Sequence, residues 1–240
     1  MIILDARHDD GVLTLALNRP EIGNALGADL VEALIGAASA AIADEAVHTL
    51  VLRGAGKHFC TGLDLSDLHS ASDGELLLRL VRIETLLALL WHAPLRTVAL
   101  AQGRAWGAGA DLFAVCEHRV AAADTTLRFP GAQFGIVLGT RRLMERVGAD
   151  AARAAVIGGA EIAAHQALAL GLASAIGEAF SLAAPRVSRS AAAAIRDATR
   201  NDHRDADLAA LVRSASAPGL KARIQSYRSH LRAPLSSVGP

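Results

Sequence analysis

Gly54-Ala55-Gly56-Lys57-His58-Phe59-Cys60-Thr61-Gly62-Leu63-Asp64-Leu65 and Gln102-Gly103-Arg104-Ala105-Trp106-Gly107-Ala108-Gly109-Ala110-Asp111-Leu112 are two glycine-rich stretches about forty residues apart. Aliphatic and β-branched runs precede them, at His48–Leu52 and Thr97–Ala101, and a helical pattern follows each. Each therefore reads as a loop that leaves a strand and enters a helix. Glycine lets a backbone approach a ligand closely, and the first turn of a helix carries unpaired N–H groups. Two such loops, brought together, would aim one N–H each at a single oxygen and hold a developing oxyanion without any side chain.

Outward from these loops the chain alternates. Met1–Arg7 and Val12–Leu17 read as a hairpin turning at His8-Asp9-Asp10-Gly11, and Asn18-Arg19-Pro20-Glu21 ends the second strand. Apolar spacing predicts helices over Ala28–Ala43 and Asp73–Trp91, the second stopped by Ala93-Pro94. Val47–Arg53 and Thr97–Ala101 are the strands that feed the loops, and Ala108–Cys116 is a short helix. Strands follow at Arg119–Ala123, Thr126–Phe129 and Ala173–Ile176. Helices are predicted at Gly139–Val147, Asp150–Ile157 and Ile162–Leu170, the last closed by Gly171. This order gives an α/β fold with crossover connections.

After Gly177 the texture becomes helical and arginine-rich, over Phe180–Ala198, Asp205–Ser214 and Pro218–Leu231. The boundary falls near residue 180, dividing a core of 1–180 from a helical part of 181–240. Those last helices carry apolar faces with little core left to cover, which predicts packing between subunits. The tail 233–240 is expected to be disordered.

The 240 residues fit one domain or one domain with an appendage. Lys+Arg and Asp+Glu balance at 24 each, so no single-sign field points to nucleic acid or an anionic membrane. Two cysteines, Cys60 and Cys116, make no disulfide framework and suit a reducing compartment. The N-terminus lacks the basic and long apolar regions of a signal peptide, and apolar stretches are too short to span a bilayer. A cytoplasmic protein is the expectation. No His/Cys/Asp grouping has metal spacing, so no metal is expected.

With both loops in view, the chain resembles the crotonase superfamily, also called the enoyl-CoA hydratase/isomerase family. Leu17-Asn18-Arg19-Pro20-Glu21 with Asn24-Ala25-Leu26 is similar to its N-terminal signature. Gly56–Leu65 and Gly103–Asp111 are similar to its two oxyanion loops. Cys116-Glu117-His118-Arg119-Val120-Ala121 and Ala163–Leu172 follow in the family's order. The resemblance implies a spiral of ββα units with a C-terminal helical domain that packs as a trimer or hexamer. It implies an acyl-CoA thioester as ligand, with no further cofactor, and a thioester enolate held by two backbone N–H groups, here those of Leu63 and Ala108. The family usually has glycine at the latter position; alanine keeps the N–H, provided φ is negative.

The family's hydratases use two glutamates. By position the first is Asp111 here, one methylene shorter, and the second is Gly131, leaving that place vacant; the Gly135 spacing favours Gly131 over Gln133. Gln133 can position a water but does not accept its proton at neutral pH. A single positioned acid or base contributes ~10²–10⁴-fold, so hydration should be slow. Isomerisation within an enolate, or acyl-CoA binding alone, stays open; a purely structural oligomer with a relic pocket is the weakest alternative. Arg19, Lys57, Cys60, Thr61, Gly62 and Asp64 are the candidate CoA contacts, and Trp106, Gly107 and Gln133 the candidate pocket residues. Competing roles are plain ones: Asp111 complementing a helix dipole, Asp64 capping a helix, both cysteines as small buried hydrophobes.

Overall fold

The computed structural model describes residues 2–180 and 186–232. Strands β1 (Leu4–Asp9) and β2 (Val12–Leu17) form an antiparallel hairpin, with Asp9 opposite Val12. Asp10 and Gly11 take φ of 44° and 70°, the left-handed pair that a two-residue turn between twisted strands requires. From β2 onward the main sheet is parallel, in the order β1-β2-β3-β4-β6-β9. Its further strands are β3 (Thr49–Gly54), β4 (Arg96–Ala101), β6 (His118–Ala121) and β9 (Ala175–Ile176). Parallel neighbours need crossovers. Those leading to β3, β4 and β6 run through α1 (Ala28–Ala43), α2 (Asp73–Trp91) and α3 (Ala108–Val115). Thr49, Leu50, Val51 and Leu52 are all buried, as expected of a parallel strand covered on both faces.

A second, three-stranded sheet joins β5 (Arg104–Trp106), β7 (Thr126–Arg128) and β8 (Ile162–Ala163). The sequence pattern shows neither short strand. β5 is three residues between Gly103 and Gly107, and Ile162–Ala163 reads as the start of a helix until Leu127 pairs with Ile162. The helix of that region is α6 (Ala164–Ala169), two residues shorter at its start than predicted. Helices α4 (Thr140–Val147) and α5 (Ala149–Gly158) lie close to their predicted ranges. Of the helix predicted over Phe180–Ala198, residues 181–185 lie outside the described residues, as does the tail 233–240. The described part is α7 (Arg189–Ala198), capped by Ser188, whose hydroxyl accepts from the Ala191 N–H.

Helices α8 (Arg204–Ala215) and α9 (Leu220–Arg232) correct one expectation. Their apolar residues Leu211, Ala215, Leu220 and Ile224 are buried within the chain, in a cluster with Leu68, Leu76, Leu80 and Ile136. The reason lies in α2, which is apolar on two sides. Ile83, Leu86, Leu87 and Leu90 join the main core while Leu76 and Leu80 face the C-terminal helices.

Helix α3 runs through the centre with all eight residues buried. Its C-terminal carbonyls are satisfied by cations: Arg146 donates to Ala114 O and Cys116 O, both at 3.0 Å, and Arg119 donates to Cys116 O at 2.9 Å. Positive charge at that end complements the helix dipole. Burial lowers the Arg146 pKa to about 9, and its guanidinium lies 4.5 Å from the centre of the Trp91 ring.

Asn24 ties the N-terminal segment to the first glycine loop. It is fully buried at φ 56°, donates to Ala55 O (2.9 Å) and His58 O (2.7 Å), and accepts from the Arg19 N–H (2.9 Å). Asn24→Ala strands these partners and forces alanine into the left-handed region. It should cost about 3 kcal/mol in equilibrium urea unfolding. An unchanged midpoint would contradict this role.

Candidate active site

β3 and β4 are neighbours, so the loops leaving them start side by side. They then pair with each other. Phe59 N–H donates to Gln102 O (2.8 Å), Cys60 N–H to Arg104 O (3.1 Å), and Trp106 N–H to Cys60 O (3.0 Å). The approach is close enough that a Cβ on Gly109 would lie 2.2 Å from Cys60 O, which only glycine permits. A third segment joins on the other side: Leu26 N–H donates to Gly62 O (2.7 Å) and Asp64 N–H to Leu26 O (3.1 Å). His58 adds a link by accepting the Arg104 N–H at Nδ1 (3.1 Å).

This pairing brings Gly62 against Ala108, whose N lies 3.3 Å from where a Gly62 Cβ would stand. Among the described residues, neither the Leu63 N–H nor the Ala108 N–H donates to a backbone carbonyl. Ala108 is the first residue of α3 and has negative φ, so its methyl group is accommodated.

Both residues border a cavity of about 210 Å³, mostly apolar. Leu63, Leu65, Leu80, Phe129, Ile136 and Val156 supply much of its wall, and Thr61, Gly62, Trp106, Gly107, Gly131 and Asp111 also line it. Ile224, Tyr227 and Arg228 of α9 close one side. Sequence reading missed that contribution; the only signal was the spacing of Leu220, Ile224 and Tyr227 along one helix face. Arg228 is anchored by donating to Leu65 O at 3.0 Å.

Asp111, the fourth residue of α3, is 5% exposed. Among the described residues no protein donor reaches its carboxyl. Burial pushes that carboxyl well above the usual carboxylate range. The Arg142 charge opposes the shift and the Glu84 charge adds to it. Gly139, the residue before α4, lies directly against it: a Cβ there would stand 2.1 Å from Asp111 Oδ1.

The remaining candidates fall into two groups. Thr61, Gly62, Trp106, Gly107 and Gly131 reach the cavity; Arg19, Lys57, Cys60, Asp64 and Gln133 are not in its wall. Arg19 and Asp64 are paired at 2.8 Å, and Arg19 also donates to Ala25 O. Asp64 Oδ1 accepts the Ser66 N–H (3.0 Å), so it closes a turn rather than capping a helix. The next helix, α2, has its own capping box of Ser72 and Glu75. Cys60 is fully buried and its thiol is pushed up to about 12. Lys57 is exposed. Gln133 is exposed on the 3-10 helix Pro130–Phe134, against Gly159 and away from the cavity. Trp106 donates from Nε1 to Thr126 Oγ1 (3.0 Å), with the Arg104 guanidinium 4.4 Å from its ring centre. No group of three or more His, Cys, Asp or Glu could hold a metal among the described residues, and no described helix is long and apolar enough to cross a membrane.

The profile of the enoyl-CoA hydratase/isomerase family matches residues 7–228. The chain belongs to this family. It is 35% identical over 175 residues to "Probable enoyl-CoA hydratase echA6" of Mycobacterium leprae, covering 70% of this chain and 68% of that one. It is 32% identical over 171 residues to the bovine "Enoyl-CoA hydratase domain-containing protein 2, mitochondrial", covering 70% and 58%. A crystal structure of a Bordetella parapertussis protein of the enoyl-CoA hydratase/isomerase type superposes with a TM-score of 0.90 at 40% identity, covering 98% of this chain and all of that one. The mixed sheet, the crossover helices and the C-terminal helices are those of the crotonase fold.

For this family member, Gly139 is a sensitive position. Its φ of +66° disfavours any side chain, and a methyl group there overlaps the Asp111 carboxyl. Gly139→Ala should cost about 1–3 kcal/mol and swing the Asp111 carboxyl to another rotamer in a crystal structure. An unmoved carboxyl with unchanged stability would contradict the contact.

Proposed function

We propose that the cavity holds an acyl-CoA thioester with its carbonyl oxygen between the N–H groups of Leu63 and Ala108, and that Asp111 moves protons on the adjoining carbons. The observation that carries this reading is the juxtaposition of two N–H groups, from separate loops and without backbone partners, beside one buried carboxyl. Donors fixed by a folded backbone need no reorganisation when charge builds on the oxygen, which is where such a site gains most. Family membership and the names of the relatives support an enoyl-CoA thioester as the substrate class. No cofactor is called for beyond the thioester itself.

Gly131 borders the cavity with no side chain to offer. One carboxylate is enough to take a proton from the carbon beside the carbonyl and return it two carbons further on. That shifts the double bond with the electron pair held as an enolate meanwhile, and consumes no water. Hydration, which needs a water activated and a proton delivered, should run slowly by comparison. The bare Gly131 position also favours a second reading: an acyl-CoA-binding protein with little turnover. Thr61 and Gly62 are proposed to contact the CoA arm, Lys57 to meet a phosphate, and Arg19, Cys60 and Asp64 to serve through the shape of the loop. Assembly as a trimer or hexamer is proposed as well; exposed Ile157 and Leu170 offer apolar surface for it.

Asp111→Asn should lower kcat for 3-enoyl-CoA isomerisation at least ~10²-fold while calorimetry shows acyl-CoA affinity nearly unchanged. Because burial raises its pKa, turnover by the wild type should climb with pH through a midpoint above the ordinary carboxylate range, as the base form appears. Wild-type turnover in the asparagine variant would reassign the base. Binding without any turnover in the wild type would favour the second reading.

Gly131 has ordinary φ, and its nearest neighbour to an added Cβ is Ile136 O at 3.3 Å, so a side chain fits with a small adjustment. Asp111→Glu with Gly131→Glu should therefore raise crotonyl-CoA hydration above the wild-type rate. Rapid hydration by the unmodified protein would contradict the single-carboxylate reading.

A further inference from the structure

Behind Asp111 lies a buried ion pair that the reaction as described does not use. Arg142, in the first turn of α4, meets Glu84 of α2 in a two-point contact of 2.5 and 3.0 Å, and both side chains are 3% exposed. Asp207 of α8 approaches Arg142 at 3.6 Å and is itself held by Arg141 at 2.9 Å. The pair is coupled to the site through the backbone. Gly139, three residues before Arg142, is packed on the Asp111 carboxyl, and α4 starts at that contact. Leu80, one turn before Glu84 on α2, lines the cavity.

A buried, hydrogen-bonded ion pair is seldom a gain in stability over an apolar pair of the same size. Here it places one negative and one positive charge near Asp111, the one carboxyl on the cavity wall among the described residues. We propose that Glu84 and Arg142 are positioning residues for Asp111: their ion pair holds the start of α4 against its carboxyl and sets the pH at which that carboxyl gives up its proton. This rests on the reading of Asp111 as the proton-transfer group.

The other charges around Asp111 are accounted for. Helix α3 carries no second ionisable residue. From α9, Tyr227 and Arg228 border the cavity, with Arg228 anchored on Leu65 O. From the first loop, Asp64 is paired with Arg19. From α8, Asp207 is shared between Arg141 and Arg142. The first-turn N–H groups of α4 act in the same sense as the Arg142 charge, favouring the ionised form. Glu84 and burial act in the opposite sense.

The test is the titration of the Asp111 carboxyl followed by carbon-13 NMR in protein labelled at the aspartate carboxyl, the resonance assigned by its loss in Asp111→Asn. Glu84→Gln removes the repelling charge and should lower the midpoint by about one pH unit. Adding Arg142→Gln to that variant removes the attracting charge and should raise the midpoint again by a similar amount. Arg142→Lys, which keeps the charge, should stay near the wild type. The double variant carries the test even if Arg142→Gln alone fails to fold with Glu84 unpaired. An unmoved midpoint in Glu84→Gln, or equal midpoints in the single and double variants, overturns the proposal. The pH profile of turnover is read in parallel. If the midpoints move and the profile does not, the positioning of Asp111 stands and its role as the catalytic base falls.

Discussion

The site depends on one contact between backbones: the pairing of Phe59 and Cys60 with the Gln102–Trp106 segment. Two loops leaving adjacent parallel strands would ordinarily diverge as their helices peel away. Here three hydrogen bonds and a bridge between Cys60 and Ala105 bring the loops back together beyond the ends of their strands, where Ala105 also belongs to β5. The contact fixes the peptide before Leu63 beside the first peptide of α3. It also explains the small residues, since Gly109 must lie against Cys60 O and Gly62 against the Ala108 nitrogen. A pair of N–H groups held this way is set by sheet geometry rather than by side-chain rotamers, and it is in place before any ligand arrives.

Around that contact the fold is braced by charge. Helix α4 lies along α3 and touches it at both ends, with Gly139 on the Asp111 carboxyl and Arg146 on the carbonyls of Ala114 and Cys116. Midway, Arg142 joins α4 to Glu84 of α2. Cations therefore sit where α3 ends in unpaired carbonyls, while its start, where N–H groups are unpaired, faces the cavity. The C-terminal helices complete the enclosure: α9 supplies Ile224, Tyr227 and Arg228 to the wall, and Arg223 binds it to the opposite side by donating to Phe134 O at 2.8 Å.

Much of this was legible in the sequence because it is local. Helix α2 falls on Asp73–Trp91 as predicted, since Ser72 and Glu75 cap its start and Ala93-Pro94 follows its end. The glycine loops, the start of α3 and the place of Asp111 follow from short-range pattern in the same way. What escaped depends on distant partners. β5 and β8 are too short to carry a period and exist through pairing with β7. Glu84 and Arg142 are 58 positions apart, and nothing in either neighbourhood marks them as a pair. Gln133 is a pocket candidate by resemblance, yet the Pro130–Phe134 segment folds as a 3-10 helix that turns it to solvent. The apolar faces of α8 and α9 could be seen, but not that α2 had a second side to receive them.

The central claim is that two peptide N–H groups, from Leu63 and Ala108, converge on one oxygen. A crystal structure with an acyl-CoA thioester bound tests it most directly. The expected result places both nitrogens about 2.7–3.1 Å from the thioester oxygen, with the carbon beside the carbonyl facing Asp111. A carbonyl oxygen bound elsewhere, or either N–H turned to a protein carbonyl with the ligand in place, would contradict it.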